Sequence, residues 1–156
     1  MHKPGILFTP ALLLLIALHN SPTVAKNTDY RSPEQVQGAT TVTLGQAKAL
    51  YDEGVMFIDV RSPRLHNRRH ITGAHHLDLK HVYNQASLAA VAGKNDAIVI
   101  YCSGVKCSRS ARASEQAVSW GYTRVYYFRG GMAEWRKAGY PITAAEAPAA
   151  KDANTQ

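Results

Sequence analysis

The chain has 156 residues, of which 46% are hydrophobic and 19% charged, with two cysteines and a formal net charge of +7. That length suits one domain with its own core, and two cysteines exclude both a disulfide scaffold and a four-cysteine zinc site. No stretch reaches the roughly 20 apolar residues of a membrane-spanning helix, and the composition excludes collagen-like, coiled-coil and wholly disordered chains.

Residues 1–25 read as an address, not as fold. His2 and Lys3 make a positive start, Ile6 to Leu18 is an apolar run interrupted by Thr9 and Pro10, and Asn20-Ser21-Pro22 breaks it before the small residues of Thr23-Val24-Ala25. This is the layout of a secretory signal peptide cleaved after Ala25. A periplasmic location is expected, with no stable membrane insertion after cleavage. That compartment is oxidising, so Cys102 and Cys107 have to be weighed as disulfide partners. Removing the segment takes away one lysine and no acid, so the mature chain stays basic. No Lys/Arg-rich run of the nucleic-acid kind is present, and a nucleic-acid partner is not expected. The charge is read as solubility, with part of it focused on a small anionic ligand.

Residues 26–40 are polar, carry Ser32-Pro33 and Gly38, and read as a lead-in to a domain over residues 41–142. Thr43-Leu44-Gly45-Gln46 has capping-box spacing and predicts a helix through Ala47, Leu50 and Tyr51, ended by Gly54. Val55 to Val60 is an apolar run that includes Asp59 and leads into Arg61, the pattern of a strand buried on both faces. Arg61 to Thr72 is polar, with a turn signal at Ser62-Pro63, and Ala74 to Leu79 reads as a short strand. Ala86 to Ala92 is a weakly marked helix, followed by a turn at Gly93-Lys94-Asn95-Asp96. Ala97 to Tyr101 is a second buried strand that runs straight into Cys102. Arg109 to Trp120 is a helix with Ala113, Ala117 and Val118 on one face and Gly121 as its stop. Arg124 to Phe128 is a third buried strand. Gly130-Gly131 then turns into a helix through Met132, Trp135 and Ala138, with Trp135 as packing and Gly139 as the stop. Residues 143–156 are rich in Ala and polar residues and are expected to be a disordered tail.

Strands alternating with helices predict an α/β fold, a central parallel sheet with helices on both faces. In such sheets ligands bind beyond the carboxyl ends of the strands. Two strands here end in chemistry, one in Asp59-Val60-Arg61 and the other in Cys102. A thiol at the end of a buried strand, facing the amino end of a helix, sits in a positive field, and the N–H groups of the loop and first helical turn can hold an anion. Lys106 and Arg109 add to that field. The pKa of Cys102 is therefore expected to fall, making it the catalytic nucleophile. The loop residues Ser103, Gly104, Val105, Lys106, Cys107, Ser108 and Arg109 would hold a small anionic sulfur or phosphorus substrate.

At these residues the sequence resembles the single-domain rhodaneses, sulfurtransferases that carry sulfur as a cysteine persulfide. The likeness runs from about Thr41 to Ile142. It rests on Phe57-Ile58-Asp59-Val60-Arg61-Ser62-Pro63, His70-Ile71-Thr72-Gly73-Ala74, Ile98-Val99-Ile100-Tyr101-Cys102 and Gly130-Gly131-Met132-Ala133-Glu134-Trp135 with Ala138-Gly139-Tyr140-Pro141. The resemblance implies a rhodanese-like fold and a sulfurtransferase needing neither metal nor organic cofactor, and the leader adds the expectation that it is exported. Sulfane sulfur would pass from a donor such as thiosulfate, through Cys102, to a thiol or cyanide acceptor; the thiol belongs to a small molecule or a protein. Asp59 would give structural support by pairing with an Arg or capping loop N–H groups.

The loop departs from the family pattern. An Arg or Lys usually stands five positions after the cysteine, followed by Ser or Thr; here that position is Cys107, and Arg109-Ser110 comes two residues late. The related phosphatases use C-x5-R, and the C-x6-R spacing of this chain matches neither. Cys107 has three readings: a resolving cysteine that converts the persulfide to a disulfide and sulfide, a partner in a resting disulfide, or a bystander. A thiol–disulfide protein using the pair, and a non-catalytic anion-binding module, are the alternatives to sulfur transfer. Arg61 is a candidate for touching the anion, as are Arg64, Arg68 and Arg69. His66, His70, His75 and His76 invite a metal reading, but neighbours on a strand point to opposite faces, so no metal is expected at His75 and His76.

Overall fold

The computed structural model describes residues 29–145. The expected signal peptide and residues 146–156 lie outside them. In chain order the elements are β1 (Thr40–Thr41), α1 (Leu44–Asp52), β2 (Met56–Asp59), α2 (Pro63–Arg68), β3 (Arg69–Ile71), β4 (His75–His76), α3 (Gln85–Ala89), β5 (Ala97–Tyr101), α4 (Arg109–Ser119), β6 (Arg124–Phe128), α5 (Gly131–Lys137) and β7 (Ile142–Ala144). Five strands form one sheet in the order β1-β6-β5-β2-β4, and every pairing in it is parallel.

The period of two along each strand sorts the core into two layers. Ile58, Ile98, Ile100 and Val125 face one side, where Leu88 of α3 and Ala113 and Ala117 of α4 cover them. Phe57, Val99, Tyr101 and Phe128 face the other side, against Ala47 of α1 and Met132 and Trp135 of α5. Helices on both faces explain why β2, β5 and β6 read as near-continuous apolar runs. Trp135 is fully buried, meets Tyr51, Phe57, Phe128 and Tyr140 ring to ring, and its indole N–H donates to the Pro141 carbonyl at 2.9 Å. The capping box of α1 is present, with Thr43 and Gln46 each satisfying the other's backbone N–H.

Two segments differ from the sequence reading. Arg61 to Thr72 is not an open turn: Pro63 starts α2 at a position that lacks an N–H to lose, and β3 follows directly. Residues 143 and 144, expected in the tail, instead extend β7, which pairs antiparallel with β3 as Arg69↔Ala144, His70↔Thr143 and Ile71↔Ile142. β7 is exposed throughout, and of β3 only Ile71 enters the core, so no apolar pattern marks the ribbon. The described part of the lead-in packs against the domain. It ends in β1, and Ser32 and Val36 are buried, Val36 beside Ala111 and Tyr127.

Gly131 opens α5 at a φ of +53°, and a Cβ there would run into the Cys102 carbonyl. The close approach lets the Met132 and Ala133 N–H groups donate to the Cys102 and Ser103 carbonyls at 2.9 and 3.1 Å. Gly131→Ala is expected to lower stability by about 2 kcal/mol, combining the positive φ with the backbone clash. Urea unfolding of the two proteins at neutral pH measures this, and an unchanged midpoint would show that the approach is not needed.

Candidate active site

Beyond the end of β5, residues 102–109 wrap around a cavity of about 640 Å³ lined by Ser103, Gly104, Val105, Lys106, Cys107, Ser108, Arg109 and Ala133. The structure thus gathers all seven loop residues expected to hold an anion. Cys102 itself is fully buried at the base of the loop, while Cys107 is half-buried on the cavity wall. The amino end of α5 supports the loop from below through the two carbonyls just described. The Cys107 N–H donates to the Gly104 carbonyl at 2.9 Å and folds the loop back on itself.

The Cys102 sulfur is held by two hydrogen bonds. The Cys102 S–H donates to the Cys107 carbonyl at 3.3 Å, and the Ser110 hydroxyl donates to the Cys102 sulfur at 3.3 Å. Interaction with Cys102, together with the N–H groups of Arg109 and Ser103 and the Arg109 charge, lowers the Cys107 pKa to about 6, against the upward push of its burial. Cys107 and then burial push Cys102 up, opposed by the Ser110 hydroxyl and the Gly104 N–H. This corrects the expectation that Cys102 has the depressed pKa. Cys107 is the thiol favoured to lose its proton first, because the Arg109 and Ser103 N–H groups and the Arg109 charge favour its thiolate, whereas Cys102 lies in the core. The pair loses one proton near neutral pH, and titration belongs to both sulfurs together.

Arg109 is not free to follow an anion without restraint. Its guanidinium lies 3.7 Å from the carboxylate of Asp78, which is almost fully buried. Lys106 is exposed on the rim. Val105 is braced from behind, since its carbonyl accepts from the Ser32 N–H at 2.7 Å and the Ser32 hydroxyl at 3.1 Å. The Ser32 carbonyl in turn accepts from Arg129 at 3.0 and 3.1 Å.

Arg61 does not reach this cavity, which corrects its assignment to the anion site. It is 3% exposed, and its side chain makes a two-pronged contact with Asp59 at 2.8 and 2.5 Å and donates to the Arg69 carbonyl at 2.8 Å. A buried guanidinium needs a buried carboxylate, and here the pair is satisfied internally. Asp59 also accepts from Tyr101 and is 3.0 Å from His66 Nδ1. His66 stacks between His70 and His76, with ring centroids 3.9 and 4.3 Å away. Each ring has a nitrogen at hydrogen-bond distance from a protein oxygen, and among the described residues no group of three or more His, Cys, Asp or Glu could hold a metal ion. His75 is exposed.

Ser110, Asp78 and Ser32 were not among the expected site residues. Ser110 carried a signal in its place on the first turn of the helix facing Cys102, whereas Asp78 and Ser32 are distant in sequence and reach the loop only through the fold. Ser110→Ala removes a hydrogen bond that stabilises the Cys102 thiolate. It is expected to slow sulfur uptake about tenfold, the worth of one charge-assisted hydrogen bond. Single-turnover uptake from thiosulfate checks this, and a wild-type rate would remove Ser110 from the site.

Comparison with known proteins places the chain. Residues 43–138 match the model of the rhodanese-like domain. The thiosulfate sulfurtransferase GlpE of Pseudomonas fluorescens is 33% identical over 101 residues, covering 65% of this chain and 87% of that protein. Among solved structures, the human single-domain sulfurtransferase TSTD1 is 25% identical with a TM-score of 0.54, covering 64% of this chain and 96% of the other. The BH2092 protein from Bacillus halodurans superposes with a TM-score of 0.62 at 21% identity, over 69% and 78% of the two chains, a likeness of fold.

Proposed function

The chain belongs to the rhodanese-like domain family, a family with sulfurtransferase members, and on that basis we propose that it moves sulfane sulfur from an anionic donor such as thiosulfate to a thiol, through a persulfide on Cys102. The observation that carries this reading is the placement of Cys102 just after β5, at the base of a loop whose Lys106 and Arg109 line the cavity. The donor's sulfonate end lies in that loop with its outer sulfur over Cys102. The Cys107 thiolate takes the Cys102 proton, and the Cys102 thiolate attacks the outer sulfur. The S–S bond of the donor breaks with its electron pair going to sulfite, which the loop N–H groups and Arg109 stabilise as charge develops.

Intact mass spectrometry of the reduced protein after thiosulfate treatment tests this. A gain of one sulfur atom, removed again by cyanide, is the expected result; an unchanged mass rejects thiosulfate as donor. The adjacency of the two cysteines supports a second reading, in which the Cys107 thiolate attacks the inner sulfur of the persulfide, forming a Cys102–Cys107 disulfide and releasing hydrosulfide. The apolar run before residue 20 supports export to an oxidising periplasm, where such a pair could cycle. The mass of the protein recovered from cells reads cleavage after Ala25 directly.

A further inference from the structure

Beside the loop cavity lies a smaller one of about 260 Å³, edged by Arg68, Arg69 and Arg136 and sharing Ser103 and Ala133 with its neighbour. The three arginines come from three elements, α2, β3 and α5. None has a carboxylate within ion-pair distance among the described residues, whereas Arg61, also on this wall, is already neutralised by Asp59. Like charges around one cavity are unfavourable unless an anion lies between them, and the planar guanidinium fork matches carboxylates two bonds at a time.

We infer that the Arg68/Arg69/Arg136 cavity is a second anion site that holds the carboxylate groups of a small thiol while its sulfur reaches Cys102 across the Ser103–Ala133 rim. The acceptor role rests on the persulfide reading above. The acceptor thiolate attacks the outer sulfur of the Cys102 persulfide, a new S–S bond forms on the acceptor, and the Cys102–sulfur bond breaks with its electron pair returning to Cys102. The electrons balance without an external oxidant. A separate pocket lets the acceptor be recognised by its charge while the loop cavity remains shaped for the donor. A neutral thiol lacks that foothold.

Two measurements test the site. In the first, succinate, a dicarboxylate without a thiol, is titrated into the Cys102→Ser protein and backbone amide shifts are followed by NMR. Saturable shifts at Arg69, Ser103 and Ala133 are expected in the millimolar range, absent when Arg68→Ala and Arg136→Ala are added. Both side chains are exposed, so the fold is expected to survive. In the second, sulfur-loaded protein is discharged to mercaptosuccinate and to 2-mercaptoethanol. The rate ratio of the two thiols is expected to fall about tenfold in Arg68→Ala/Arg136→Ala, which removes the intrinsic reactivity of each thiol from the comparison. No saturable succinate shift at these amides, or an unmoved ratio, overturns the inference. A protein that binds succinate there but takes up no sulfur keeps the anion site and overturns the acceptor role.

Discussion

Cys102→Ser is expected to abolish sulfur uptake from thiosulfate, by about a thousandfold or more, since the proposed covalent intermediate forms on the Cys102 sulfur. Cys107→Ser is expected to retain uptake with a displaced pH dependence. In the wild type, uptake rises through the first proton loss of the pair, near the value of about 6 to which Cys107 is lowered. Without Cys107 the remaining thiol must ionise alone. Burial pushes it up, and only the Ser110 hydroxyl and the Gly104 N–H pull it down. Uptake by Cys107→Ser should therefore be slower at pH 7 and recover as pH rises into the ordinary thiol range of about 8–9. Stopped-flow uptake between pH 5 and 9 separates the possibilities. If Cys107→Ser loads with the wild-type profile, Cys107 does not take the proton. If Cys102→Ser still gains sulfur on Cys107, the order of events in the loop is the reverse of the one proposed. A dithiol protein makes a different demand: Cys107→Ser would load once and then fail to release hydrosulfide.

The second large effect is expected at Asp59. Its carboxylate is fully buried and receives Arg61, Tyr101 and His66. Asp59→Asn keeps the shape and leaves the Arg61 charge without its counterion, for which removal of one partner of a buried pair costs about 3–5 kcal/mol. The pH dependence has a definite sign. Burial alone would raise the Asp59 carboxyl, but Arg61 and His66 hold it below its ordinary value of 3.8. Its contribution is thus complete above that value and fades as pH falls through the folded-state pKa. His66 acts in the same direction at higher pH. Burial and the neighbouring His70 and His76 keep its pKa below 6.5 despite Asp59, so the folded protein loses stability as pH falls from 6.5 toward that lowered value. Denaturant unfolding at pH 7.5 and pH 3 should show the Asp59→Asn deficit at its largest at the higher pH and reduced at the lower. A variant within about 0.5 kcal/mol of wild type at pH 7.5 would show that the pair is not what holds this end of the sheet. Tyr101 gives the loss a route to the loop, since its hydroxyl joins Asp59 and its backbone leads directly into Cys102.

The sequence shows the sheet clearly because burial on both faces leaves a continuous apolar signature, as in Ile98-Val99-Ile100-Tyr101. Capping chemistry is local, so Thr43 and Gln46 could be paired by spacing alone. The loop of residues 102–109 is likewise visible as a contiguous run of small, polar and basic residues. What could not be read depends on distant partners. Nothing in Arg61 tells whether its fork faces solvent, an anion or Asp59 until the chain folds. The β3–β7 ribbon pairs through backbone groups that every residue possesses, and the exposed side chains of β7 carry no signal of it. The distribution of charge between Cys102 and Cys107 follows from which sulfur faces the α4 amino end, a matter of ångströms and not of order along the chain.

The shared stretch of the family ends at residues 43 and 138, but the loop's rear support begins eleven positions earlier, where Ser32 clasps Val105 and is clasped by Arg129. What is inherited as a module and what folds as a unit thus have different borders here. A graft of residues 102–109 onto a relative would transplant the reacting groups without the brace that fixes their backbone. Conversely, drift in an unremarkable polar segment ahead of the domain could retune the chemistry without altering any residue that touches the substrate.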